Sequence, residues 1–149
     1  MALRKLILPL LVLICCNAVA GTDEEIQKYL DALQSGDYRA AALVFAYPDY
    51  ASDEELNARQ EYVINTITNY HETLGVLQQA PATGKPSGLN ASFTIGGGDE
   101  EFTMMNPPTQ FRRVSTEFSN VGTGSITFML ADQAGGPRII YLQYDYAAP

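Results

Sequence analysis

The chain has 149 residues, with nine Lys and Arg against seventeen Asp and Glu, giving a formal charge of −8. That acidic balance disfavours nucleic acid and anionic membrane surfaces, both of which need clustered cations. His71 is the only histidine and the two cysteines are Cys15 and Cys16, so a two-histidine metal centre cannot form, and neither metal nor cofactor is expected.

Residues 1–20 read as a signal peptide. Arg4 and Lys5 form its basic start, Leu6 to Cys16 is apolar apart from Pro9, and Ala18-Val19-Ala20 supplies the small-x-small pattern that signal peptidase cuts. The run is too short for a comfortable membrane span. Cleavage after Ala20 predicts a periplasmic or secreted single domain over 21–149, without thiols. It would carry seven cations against seventeen acids, a charge of −10. Lipid attachment at Cys15 or Cys16 fits less well, since Ile14 and Cys15 stand where a small residue is wanted.

Thr22-Asp23-Glu24-Glu25 reads as a capping box opening a first helix, with Ile26, Tyr29, Leu30 and Leu33 on one face. Gly36 stops it. Asp37 can cap a short second helix that buries Tyr38, Ala41, Ala42 and Phe45 before Pro48. Ser52-Asp53-Glu54-Glu55 repeats the capping chemistry for a longer third helix, whose stripe is Leu56, Val63, Ile67, Tyr70 and Leu74. Gly75 is its stop.

After a loop rich in Pro, Gly and Ala from Ala80 to Pro86, the hydrophobic period becomes two. Leu89, Ala91, Phe93 and Ile95 alternate with Asn90, Ser92 and Thr94, as a half-buried strand does. Val114, Thr116 and Phe118 oppose Arg113, Ser115 and Glu117, and Ile126, Phe128 and Leu130 oppose Ser125, Thr127 and Met129. The last run, Arg138 to Tyr146, is apolar on both faces. Gly122-Thr123-Gly124 and Gly135-Gly136-Pro137 suit hairpin connections. Helices followed by hairpin-linked strands predict an α+β fold, with N-terminal helices packed on a curved antiparallel sheet.

The segment Leu33-Gln34-Ser35-Gly36-Asp37-Tyr38, followed by Ala40-Ala41-Ala42 and Phe45, resembles the opening of the NTF2-like (cystatin-like α+β cone) superfamily. The third helix ending Thr73-Leu74-Gly75 and the long final hairpin are also similar, in particular to its small exported bacterial members. The resemblance covers residues 22–146 through a pattern of elements. It implies a sheet wrapped round a long helix, a cone whose wide end can hold a pocket, and frequent dimerisation through the sheet. Some members are isomerases, dehydratases or hydrolases with Asp, His or Tyr inside the cone, and many only bind. No motif here carries a family catalytic residue over to a numbered position.

On residue chemistry, His71 is either a general base at the pocket with Tyr70 or a strand carboxylate nearby, or a boundary ring contributing to packing. Arg112 shares a strand side with Val114 and Phe118. It either holds a carboxylate ligand at the cone's mouth or is an end-of-strand arginine with a wet head. Tyr70, His71, Arg112 and Tyr144 are thus the candidate ligand-binding residues. Gly96-Gly97-Gly98 lacks the Lys-Ser/Thr of a phosphate loop and reads as a flexible hairpin connection. Asp99-Glu100-Glu101 reads as a solvated charge run, matching no calcium loop. Asn90-Ala91-Ser92 is a glycosylation sequon inside a strand. Met129, Ile139 and Tyr141 are expected on the face opposite Ile126, Phe128, Ile140 and Leu142, as the interface of a sheet-to-sheet homodimer. No Gly-x-Ser-x-Gly elbow occurs. The functional expectation is an exported, non-catalytic domain binding a small apolar ligand or a protein partner. The alternatives are an isomerase or lyase acting in the cone, and an acidic inhibitor or immunity-type protein facing a basic partner.

Overall fold

The computed structural model describes residues 21–82 and 87–149. The expected leader at 1–20 lies outside the described residues. The first helix, α1, occupies 21–35. It is followed by α2 (Tyr38–Leu43), α3 (Asp53–Leu74), β1 (Leu77–Ala82), β2 (Ala91–Gly96), α4 (Glu100–Met105), β3 (Gln110–Phe118), β4 (Gly122–Gln133) and β5 (Gly136–Tyr146). All strand pairs are antiparallel, in the order β1-β3-β4-β5-β2. The sheet curls strongly into a half-barrel, so the architecture is α+β as the change of period implies.

Local chemistry accounts for the helix ends. Asp37 accepts from the Ala40 amide at 3.0 Å, and Ser52 accepts from the Glu55 amide at 3.2 Å. Glu55 returns a carboxylate to the Ala51 amide at 3.1 Å, one residue before the cap, a variant of the capping box. Gly75 ends α3 at φ 81°. A Cβ there would stand 2.0 Å from Ser119 Oγ, so both the left-handed turn and the close approach require glycine.

Thr22 is not a cap. Helix α1 already includes Gly21, and Thr22 is fully buried with its hydroxyl donating to Gln110 Oε1 at 2.8 Å. A capping residue sits outside the helix with its hydroxyl on the helix amides, whereas this hydroxyl ties α1 to β3. Glu25 pairs with Lys28 at 2.9 Å and lies 3.6 Å from Arg138 Nε.

The core lies between the helices and the concave face of the sheet. Leu30 and Leu33 from α1, Phe45 after α2, and Val63, Ile67 and Leu74 from α3 meet Phe93, Phe118, Ile126, Phe128 and Leu142. The buried stripe of α3 is Val63, Ile67, His71 and Leu74, while Tyr70 is 36 % exposed. The stripe therefore keeps Val63, Ile67 and Leu74 but takes His71 in place of Tyr70, because a buried imidazole holds a core position that an apolarity count does not credit.

Four other expectations are corrected. Residues 77–82 form a strand although the pattern assigns a loop from Ala80; β1 pairs only with β3, and an edge strand tolerates Pro81. The turn between β3 and β4 falls at 119–121, and Gly124 is already paired with Thr116. Gly96-Gly97-Gly98 is no hairpin connection, because β2 pairs with β5 and the chain runs on into α4. Asp99, from the acidic run, caps α4 by accepting from the Phe102 amide at 2.9 Å.

A register shift between Met129 and Leu130 rearranges the outer face. Met129 stays opposite Tyr141, but Leu130 meets Ile139, which turns into the main core at 0 % exposure. Ile139 therefore does not share the outer face with Met129 and Tyr141. Ile140 goes outward instead, into a second small core with Ala46 and Ala131, bordered by Phe102 and Tyr141. The bulge breaks strict alternation, and α4 gives this part of the sheet intrachain cover.

Candidate functional site

Helix α1 brings Tyr29, α3 brings His71 and β5 brings Tyr144 to one point between the helices and the concave face of the sheet. Tyr29 Oη and Tyr144 Oη are 2.7 Å apart, Tyr144 Oη is 3.2 Å from His71 Nε2, and His71 Nδ1 is 2.8 Å from the Gly75 carbonyl. A carbonyl only accepts, so Nδ1 carries a proton. Burial pushes the His71 pKa down, an effect the Gly75 bond partly opposes. The neutral ring then leaves Nε2 as an acceptor. Tyr144 donates to it and accepts from Tyr29. The direction of the whole chain, Tyr29 to Tyr144 to His71 to Gly75, follows from its last acceptor.

Burial raises the pKa of Tyr29 and of Tyr144, so neither is poised to lose a proton near neutrality. Rings close the space around the chain. Tyr38 stacks on His71 with centroids 4.9 Å apart, and Phe118 meets it edge-on. Phe93 stacks between Tyr144 at 4.4 Å and Tyr70 at 3.5 Å. His71 is 4 % exposed. A general base must reach a substrate proton directly or through one water, and this imidazole has both nitrogens committed.

Of the candidate residues, His71 and Tyr144 are thus brought together, and Tyr70 joins them only through the Phe93 stack. Arg112 stays apart. It lies in the inner row with Phe128 and Leu142, but on the part of β3 that β1 does not reach. Its head is exposed, with a bond at 3.3 Å to the carbonyl of Phe111. Tyr29 was visible in the sequence only as one apolar-stripe position, since nothing local announces a partner 115 residues away.

The outer surface is differently built. Arg59 on α3 donates from Nε to the Gly97 carbonyl at 2.9 Å, and from Nη2 to the carbonyls of Gly96 and Gly98 at 3.1 and 2.8 Å. The glycine run is therefore fastened rather than loose. A Cβ on Gly97 would lie 2.0 Å from the Ala46 carbonyl oxygen, and one on Gly98 would lie 2.2 Å from the Phe102 ring. This clamp fixes α4 beside the chain segment 47–50. Between them opens a groove of about 470 Å³, lined by Tyr47, Tyr50, Phe102 and Met105 together with Asp49, Asp99 and Glu101. An adjoining groove of about 440 Å³ shares Tyr47, Pro48, Asp49 and Gln133 and adds Leu43 and Leu56. Tyr47 donates to the Ala42 carbonyl at 2.7 Å, which fixes its ring as a wall. No helix among the described residues is long and apolar enough to cross a membrane.

No protein-family model, no curated protein and no solved structure matches this chain.

Proposed function

We propose that the chain is an exported, non-catalytic NTF2-like domain that works by binding a protein partner on its outer surface. The observation that carries this reading is the closed hydrogen-bond chain through Tyr29, Tyr144 and His71. An enzyme of this kind needs an acid or base facing the space where its substrate sits, and here those groups are spent on one another. A small apolar ligand in the cone is less well supported, because Phe118, Ile126, Phe128 and Leu142 already fill the concave face. The curled sheet around α3 and the segment Leu33 to Phe45 favour the NTF2-like assignment. The leader-like start favours export.

Native mass spectrometry of the domain, isolated without denaturant from the exported fraction of its own cells, tests the proposal. The expected result is a protein bound at fixed stoichiometry. A stoichiometric small molecule released on denaturation, or a turnover abolished by His71→Gln, would overturn it.

A further inference from the structure

We propose that the groove between residues 47–50 and α4 docks a basic segment of a partner protein, seating an Arg or Lys side chain between Asp49 and Glu101. This rests on the partner-binding reading above and names the surface and the chemistry it recognises.

The groove combines aromatic walls with carboxylates, and none of its lining residues is Lys or Arg. Asp99 is occupied in capping α4. Among the described residues, the carboxylates of Asp49 and Glu101 have neither a hydrogen bond nor an ion pair, and both side chains are exposed. Tyr47, Tyr50 and Phe102 suit the alkyl stem and the flat cation of arginine, which are drawn to aromatic faces. The acids line the walls rather than converge, and no group of His, Cys, Asp or Glu among the described residues could hold a metal ion. That arrangement fits a cation carried on a side chain better than a bare ion. The adjoining groove is mixed: Leu43 and Leu56 offer apolar contact to residues flanking the cation, while Arg138 in its lining disfavours a second cation there. Net charge of −8 attracts a basic partner and repels a second copy.

The test is fluorescence anisotropy of a fluorescein-labelled hexa-arginine peptide, read with amide shift mapping by NMR. Wild type is compared with Asp49→Asn/Glu101→Gln and with Glu54→Gln/Glu72→Gln, an equal charge change on exposed positions of α3. The groove pair should weaken binding about tenfold and the control pair less than about twofold, with shifts concentrated on 47–50 and α4. Tyr50→Ser, which leaves the charge unchanged, should also weaken it. Equal losses from both acidic pairs, shifts spread over the acidic surface, no peptide binding at low salt, or a wild-type dimer occupying the groove would each overturn the proposal. If the peptide fails while a protein still copurifies, the docking surface is wrong and the partner-binding reading stands.

Discussion

The hydroxyls of Tyr29 and Tyr144 lie 2.7 Å apart and join α1 to β5, 115 residues away, inside the main core. Because Tyr144 also serves His71, it is the central member of the chain. Tyr144→Phe strips Tyr29 of its acceptor and His71 of its donor, leaving buried polar atoms unmet. It should cost about 1–3 kcal/mol in urea unfolding. Adding Tyr29→Phe should cost less than the sum of the two single changes, since both remove one shared bond.

Stability should depend on pH through His71. Burial lowers its folded pKa below the ordinary 6.5, so the unfolded chain takes up a proton first as pH falls. The contribution is complete above the unfolded value and is lost as pH drops below it. Chemical denaturation from pH 7.5 to 5 should show stability falling below about 6.5. His71→Gln should flatten that slope, and an unchanged slope would contradict the burial assigned to the ring.

Gly97→Ala should disrupt the seat of α4. The added methyl meets the Ala46 carbonyl oxygen, which is backbone and cannot swing aside. A loss of about 1–3 kcal/mol is expected in thermal or urea unfolding. Gly135→Ala, where nothing lies within 4 Å, should be close to neutral.

Arg59→Ala removes the charged donor from three glycine carbonyls and should destabilise by on the order of 2 kcal/mol. Arg59→Lys should recover little, because a point ammonium cannot reproduce the fork that spans Gly96 to Gly98. Hydrogen exchange of the α4 amides should rise in both variants before the rest of the sheet is affected.

Elements that one local signal decides are legible in the sequence. Ser52 with Glu55, Asp37 and Gly75 placed α2 and α3, and the alternations around Phe93 and Ile126 placed β2 and β4. Elements whose deciding contact is distant or small leave no such signal. Strand β1 hides in Gln78-Gln79-Ala80-Pro81, which has no alternation and pairs on one side only. Helix α4 is six residues long, too short for a periodic signature, though Asp99 held its cap. One bulge after Met129 was enough to send Ile139 inward and Ile140 outward. Of the interior site, His71 and Tyr144 were legible as chemistry, but not their hydrogen bonds, which depend on how the curled sheet meets α1 and α3. Arg59 gave no sign of its role, since its partners are backbone carbonyls that no side-chain pattern encodes.

Nitrogen-15 NMR of the single imidazole, followed from pH 8 to pH 5, reports whether the interior around Tyr29, Tyr144 and His71 is closed to water. If the interior beneath the curled sheet is sealed and its polar groups spent on one another, His71 will stay a neutral ring protonated at Nδ1, titrating below the range of a free histidine and barely exchanging with solvent. A ring that titrates near 6.5, swaps tautomers freely and exchanges fast would mean an interior open to water, with a base at its wall.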